Sequence, residues 1–427
     1  MTRTLAWALA AALFTLPALA QQAPSPAHTE TVRRILESDG FRKAAVVFDQ
    51  EHDRWISEVI TLTEIEAPPF KEERRARAYA EMFRAHGLAD VEIDAVGNVL
   101  GLRRGSGGPL LVVSAHLDTV FPEGTDVKVR REGDRLYAPG VGDDSTGLAT
   151  LLQYVRALDA AGLRTKGDIL FVGTVGEEGL GDLRGVRHLF TEGKYKGRIA
   201  SFISLDGGGV TEFANGGVGS KRYRVTFKGP GGHSYGAYGI VNPMAALAAS
   251  VVELYKIETP TKPKTTYSAS VTGGGTSVNS IPNEVWMEFD MRSEEAGALA
   301  DVERQLLAIL NRAVEAENAA RSTRDGKVSV EAKLVGDRPA GRTEASTDIV
   351  QYATAVYRAH GLTPVYRTSS TDSNMPMSLG IPALTMPRGD KGGRAHSLDE
   401  WVDVEKASNV VVKRTGLGTI LALAGME

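Results

Sequence analysis

The chain changes grammar twice, and that constrains its architecture more than anything else in it. From Val91 to Gly209, apolar strand-like runs alternate with a helix-length segment: VEIDAVGNVLGL, PLLVVSAHLDTV, GLATLLQYVRALDAAGL, DILFVGTVGEE and SFISLDGGG. Continuous apolar runs separated by helices predict buried parallel strands in an α/β layered domain. From Lys221 to Gly336 the order becomes strand, helix, two strands, long helix, strand: KRYRVTFKG, NPMAALAASVVELYKI, TYSASVTGG, NEVWMEFDMRS, EAGALADVERQLLAILNRAVEAENAARS and KVSVEAKLVG. That is a complete βαββαβ unit. The first grammar then resumes with a helix over Thr347–His360, the strand PVYRTSS, the apolar run PALTMP and a last helix from Val404 to Leu423. Ahead of all this, three helical stretches are expected between Thr29 and His86, the second and third parted by Pro68-Pro69.

The expected fold is therefore α/β, a three-layer domain with a mixed sheet over 21–219 and 336–427. An inserted α+β unit of ferredoxin-like order over 220–335 would serve as a lid and dimerisation domain. Residues 1–20 stand apart: Arg3, the apolar run Leu5–Leu16 and Ala18-Leu19-Ala20 read as a signal peptide cleaved after Ala20. The run is shorter than the roughly 20 apolar residues a membrane anchor needs. Export to a periplasm, or secretion, is expected, with no membrane attachment of the mature chain.

Composition removes several chemistries. With no Cys, there can be no disulfide, thiol nucleophile, iron–sulfur cluster or thiolate zinc site. A net charge of −4 argues against a nucleic-acid surface. Any metal must be held by His and carboxylates.

Such residues gather where strands end, which is where open α/β sheets bind ligands. His116 and Asp118 follow PLLVVS and share a strand face; Asp143-Asp144 precede a helix; Glu177-Glu178 follow DILFVGTV; Asp206 ends SFISL; His396 lies in a Gly-rich loop. Each also suits a plain structural role: a satisfied polar pair, a helix N-cap, an exposed turn. Together, two imidazoles and several carboxylates suit zinc, or cobalt or manganese in its place. They are too many for one tetrahedral ion and about right for two ions roughly 3.5–4 Å apart.

The clusters, in this order, resemble those of the M20 metallopeptidases, a family that includes glutamate carboxypeptidases, tripeptide aminopeptidases and acylases. The resemblance implies two zinc ions per subunit. His116 and Asp206 would hold one, Glu178 and His396 the other, and Asp143 would bridge. Asp118 would orient His116, Glu177 would be the general base, and the Asp143–Asp144 peptide would be cis. Gly229-Pro-Gly-Gly-His233-Ser234 resembles the lid histidine segment that reaches a partner subunit's site, which implies a homodimer. Asn279, in Val278-Asn279-Ser-Ile-Pro282, and Arg338, in Asp337-Arg338-Pro339, resemble substrate-binding residues. The implied activity is hydrolysis of a peptide or N-acyl amide bond near a chain end by a metal-activated water. Departures at Ser145-Thr146-Gly147, at Asp206 and after His233 leave the substrate, a small peptide or an N-acyl amino acid, open.

Two rivals remain. Gly232-His-Ser234-Tyr-Gly236 matches the nucleophile elbow of serine hydrolases, but that elbow needs a strand running straight into a helix. A non-catalytic binding protein would have been marked by loss of a ligand or of Glu177, and none is lost.

Overall fold

Four apolar strands lie side by side and parallel at the centre of the computed structural model, which describes residues 23–389 and 391–427. In sheet order they are Gly167–Thr174, Gly108–His116, Ile199–Gly207 and Ala383–Pro387. The expected signal peptide over 1–20 lies outside the described residues. Antiparallel strands extend this core: Val99–Arg103 and Ala89–Ile93 on one side, Glu212–Gly217 and Gly341–Arg342 on the other. Val365–Ser369 pairs parallel with Glu212–Gly217 and completes a nine-stranded mixed sheet.

Alternation along the central strand builds the layers. Leu111, Val113 and Ala115 enter one apolar core with Phe48, Trp55, Tyr154, Val356 and Leu417 from the helices on that face. Leu110 and Val112 enter the opposite core, with Val186, Leu189, Phe190 and Met375. Both faces of the parallel strands are thus covered, as such strands require. The domain has the three-layer α/β form expected.

The second unit has its own antiparallel sheet, in the order Thr265–Gly274, Glu284–Ser293, Gly219–Lys228, Ser329–Arg338. Helices Pro243–Leu254 and Ala296–Ala320 close a core around Val225, Phe227, Phe289, Leu306 and Leu310. This is the expected βαββαβ unit, with its sheet in ferredoxin-like order. Its last strand runs to Arg338, beyond 335, and pairs Arg338 with Ser220 on the entering strand.

Two local differences from the sequence reading have clear causes. The first helix ends at Glu37, and a further helix, Asp39–Gln50, follows at once. Ser38 serves both: its hydroxyl donates to the Ile35 carbonyl at 2.7 Å and accepts from the Phe41 amide at 3.1 Å. VEIDAVGNVLGL is two strands about a turn in which the Asp94 carboxylate accepts the amides of Val96, Gly97 and Asn98. Among the described residues no helix is long and apolar enough to cross a membrane.

Candidate metal centre

The carboxyl ends of the four parallel strands meet in one cleft of about 410 Å³. His116 ends Gly108–His116, Glu177 and Glu178 follow Gly167–Thr174, Asp206 is next to last in Ile199–Gly207, and Arg388 follows Ala383–Pro387. Asp143 comes from the loop before helix Ser145–Ala160 and His396 from the Gly-rich loop near the C-terminus.

Asp143 stands between the two histidines. His116 Nε2 lies 3.0 Å from Asp143 Oδ1 and 3.9 Å from Asp206 Oδ1. His396 Nε2 lies 3.3 Å from Asp143 Oδ2 and 2.9 Å from Glu178 Oε1. The donor atoms of His116, Asp143 and Asp206 fall within 4.8 Å of one another, as do those of Asp143, Glu178 and His396. The structure therefore brings together all five residues expected to act as ligands, as two triads that share Asp143. A third grouping, His116 with Glu177 and Glu178, meets the same distance, but Glu177 is engaged by Arg338.

The neighbouring acid, Asp144, faces the other way. It caps the helix through the Gly147 amide at 3.2 Å and receives the His116 amide at 2.9 Å. The Asp143–Asp144 peptide is cis.

Supporting groups hold the ligands. His116 Nδ1 is 3.0 Å from the Asp118 carbonyl and 3.7 Å from its carboxylate. With Nδ1 donating to Asp118, the Nε2 lone pair faces the cleft. The Asp118 carboxylate also receives the amides of Glu177 and Glu178, at 3.1 and 2.8 Å. Burial works to raise its pKa, yet His116 and those two amides hold it below the usual carboxylate range.

Four supporting residues escaped the sequence reading. Glu400 accepts the amides of Gly140, Gly142 and Asp143, at 3.0, 2.9 and 2.8 Å, and so shapes the loop that presents Asp143. Arg75, wholly buried, donates to the Leu117 carbonyl at 2.8 Å. Asp372 accepts from Thr174 Oγ1 at 2.5 Å, and burial pushes its carboxyl up to about 6. Arg388 lies 3.2 Å from Asp143 Oδ1.

Burial, with Glu178 beside it, pushes Glu177 up to about 8 against the pull of Arg338 and His116. Burial and the nearby Asp143 also hold Asp206 well above its ordinary range. Carboxylates desolvated against each other call for a cation. Two imidazoles and three hard carboxylates in triads sharing one acid fit two divalent ions such as zinc.

The remaining expected residues fall in two places. Arg338 is buried in the cleft, its Nη1 3.0 Å from Glu177 Oε1 and 3.2 Å from Ser370 Oγ, with a second bond to the Glu177 carbonyl. His233 and Asn279 lie together in the second unit, both exposed. His233 pairs with Ser280, and the Ser234 amide donates to the Asn279 carbonyl at 2.9 Å. Neither lines the cleft. Ser234 sits in that same segment, and the next helix starts only at Pro243, so no nucleophile elbow forms.

Comparison with known proteins agrees with this geometry. The model of peptidase family M20/M25/M40 matches residues 112–413. Carboxypeptidase G2 of Pseudomonas sp. is 27% identical over 198 residues, covering 46% of this chain and 47% of that protein. Succinyl-diaminopimelate desuccinylase of Leptothrix cholodnii is 30% identical over 248 residues, 53% of this chain and 63% of that one. The chain thus spans about half to two thirds of the length of these curated relatives. A crystal structure from Bacillus subtilis, described as a dinuclear metal binding peptidase from the M20 family, superposes with a TM-score of 0.64 at 16% identity. That match covers 87% of this chain and 99% of the other. Strand-end ligands, shared Asp143 and family match agree: the chain belongs to peptidase family M20/M25/M40.

Proposed function

We propose that this chain is an exported exopeptidase that hydrolyses a peptide bond near one end of a small substrate, using two zinc ions. One observation carries the reading: two His–carboxylate triads share Asp143, and the buried Glu177 stands beside them. Two divalent cations, held by His116, Asp143, Asp206, Glu178 and His396, would supply Lewis acidity and acidify a water.

The chain's own residues do the rest. Glu177, buried beside the two triads, would take a proton from the attacking water in its ionised form and return it to the leaving amine. Asp118 fixes the backbone on which Glu177 and Glu178 are carried. Arg222 and Arg292 of the second unit line the cleft with Arg338 and favour a substrate that carries a carboxylate. His233 and Asn279, exposed and away from this cleft, would act on the cleft of a partner subunit in a homodimer. The Arg3, Leu5–Leu16 and Ala18-Leu19-Ala20 pattern supports export.

A second reading within the family is an N-acyl-amino-acid amidohydrolase. The desuccinylase similarity favours it, as does a cleft lined by four arginines, Arg222, Arg292, Arg338 and Arg388, which suits an acidic acyl group.

The deciding experiment strips the purified protein with chelator, reloads it with zinc or cobalt and offers dipeptides, tripeptides and N-succinyl and N-acetyl amino acids. Hydrolysis that needs metal and fails when the C-terminal carboxylate is amidated supports the peptidase reading. Preference for N-succinyl substrates supports the second. No metal-dependent hydrolysis of any of them overturns both.

A further inference from the structure

One cation is already built into the metal centre. Arg388 is planted there by its backbone: its amide donates to the Gly207 carbonyl at 2.9 Å, and its carbonyl accepts from Thr150 Oγ1 at 2.8 Å. Its largely buried side chain places Nη1 2.5 Å from Asp206 Oδ1 and 3.2 Å from Asp143 Oδ1. The same nitrogen is 3.2 Å from the Asp206 carbonyl, and Nε is 4.0 Å from Asp144 Oδ1. Asp206 Oδ1 and Asp143 Oδ1 are also the two oxygens that face His116 Nε2. The guanidinium and the imidazole therefore converge on the same pair of acceptor atoms.

We propose that Arg388 is an internal counter-cation of the His116–Asp143–Asp206 triad, holding these acids together in the metal-free protein and competing with a divalent ion for Asp206. This rests on the two-metal reading of the cleft. Like charges this close, taken out of water, repel strongly unless something positive lies between them. A guanidinium supplies that charge at a fixed position without metal. It also makes each bound divalent ion share or displace a carboxylate already in use. Contact and ion are then negatively coupled, and the coupling is reciprocal: the ion loosens the Arg388 contact by the same factor by which that contact weakens the ion. The Arg388 ion pairs fall mainly on the His116 half of the centre, so the two halves should differ in affinity, with the Glu178–His396 half opposed only through the shared Asp143.

The test uses the full chain stripped with chelator, as wild type, Arg388→Gln and Arg388→Lys. Each is titrated with cobalt(II), followed by its visible absorption and by calorimetry, and each is melted with and without metal. The expected result is a pair of opposite shifts in Arg388→Gln. Its metal-free melting temperature falls by several degrees, and its weaker cobalt site tightens tenfold or more. Arg388→Lys, which keeps the charge on a narrower head, should fall between. If Arg388→Gln does not fold without metal, the lysine variant alone decides through the same pair of shifts. Cobalt binding in the variants that is equal to or weaker than wild type, with two ions bound in wild type, overturns the role of Arg388 and leaves the metal centre standing. No cobalt uptake by wild type overturns the metal centre and the inference with it.

Discussion

Asp182 holds the backbone amide of Asp337 with both carboxylate oxygens, at 2.9 and 3.0 Å. Asp182 and Leu183 are consecutive residues with left-handed backbone, at φ 51° and 61°, immediately after the turn that carries Glu178. Such conformations in non-glycine residues persist where surrounding contacts enforce them. Asp337 adjoins Arg338, which grips Glu177, and Arg222 donates to the Gly179 carbonyl at 2.9 Å. The roots of the second unit are thereby bonded to the catalytic loop at three points. Asp182→Ala should cost about 1.5–3 kcal/mol, the usual worth of hydrogen bonds to a charged group. Asp182→Asn, which keeps an acceptor, should cost less. Urea unfolding gives both values, and amide exchange at 336–338 should quicken in the alanine variant first. Equal losses in the two variants would contradict the clamp.

The proposed function gives the neighbours Glu177 and Glu178 different tasks. Glu177→Ala should leave bound metal nearly intact while turnover collapses by about a hundredfold or more, the scale of a lost general base. Glu178→Ala removes a donor from the His396 triad and should lower bound metal directly. Elemental analysis beside kinetics separates them. Equal metal loss in both would reverse the assignment.

His233 tests assembly. Glu177→Ala and His233→Ala subunits, each inactive alone, are mixed and allowed to exchange. If His233 serves the partner's cleft, random pairing restores one complete site in about half the dimers, so about a quarter of sites recover. Mixing that restores nothing places its action within its own subunit.

Burial and the adjacent Arg156 lower His86 from 6.5 to about 4, with Arg156 Nη1 3.4 Å from His86 Nε2. The unfolded chain therefore binds a proton there that the folded chain refuses between these two values. Stability falls as pH drops from about 6.5 towards 4, where the difference levels off. The loss should be about 1–3 kcal/mol, allowing for the part of the ring open to water. In metal-free protein, His86→Gln should flatten the urea-midpoint curve across that window. An unchanged slope would remove His86 as its source.

Of the five triad residues, His116, Glu178 and Asp206 were legible because each sits in a short polar motif at the end of an apolar strand, where topology places all such ends on one edge, whereas Asp143 and His396 lie on loops. Asp144 and Asp143 could be told apart only through the family resemblance, which put the bridging role on Asp143. Glu400 was illegible for a physical reason: it supports Asp143 from 257 residues away, and in isolation it is one more acid in a charged loop. Arg388 shares that difficulty, since nothing local distinguishes a surface arginine from one aimed into a cleft. Helix Asp39–Gln50 was missed because one serine both ends the helix before it and caps the next, and the nearby Gly40 lies inside the second helix rather than between the two. Strand Glu212–Gly217 (EFANGG) lacks both alternation and β-branched residues, and its place between two neighbours decides its form.

The pairing of Ser220 with Arg338 has a consequence for how the chain folds. Partners in an antiparallel ladder are about 5 Å apart, so the outer layers see the whole inserted unit as a closed loop with touching ends. Closing a loop costs entropy that grows only with the logarithm of its length, and here the loop closes itself as its own sheet forms. The segments on either side of the insert, far apart along the chain, are then delivered to each other already in register. The parallel sheet can assemble its late strand, Ala383–Pro387, as though the intervening unit were a short turn.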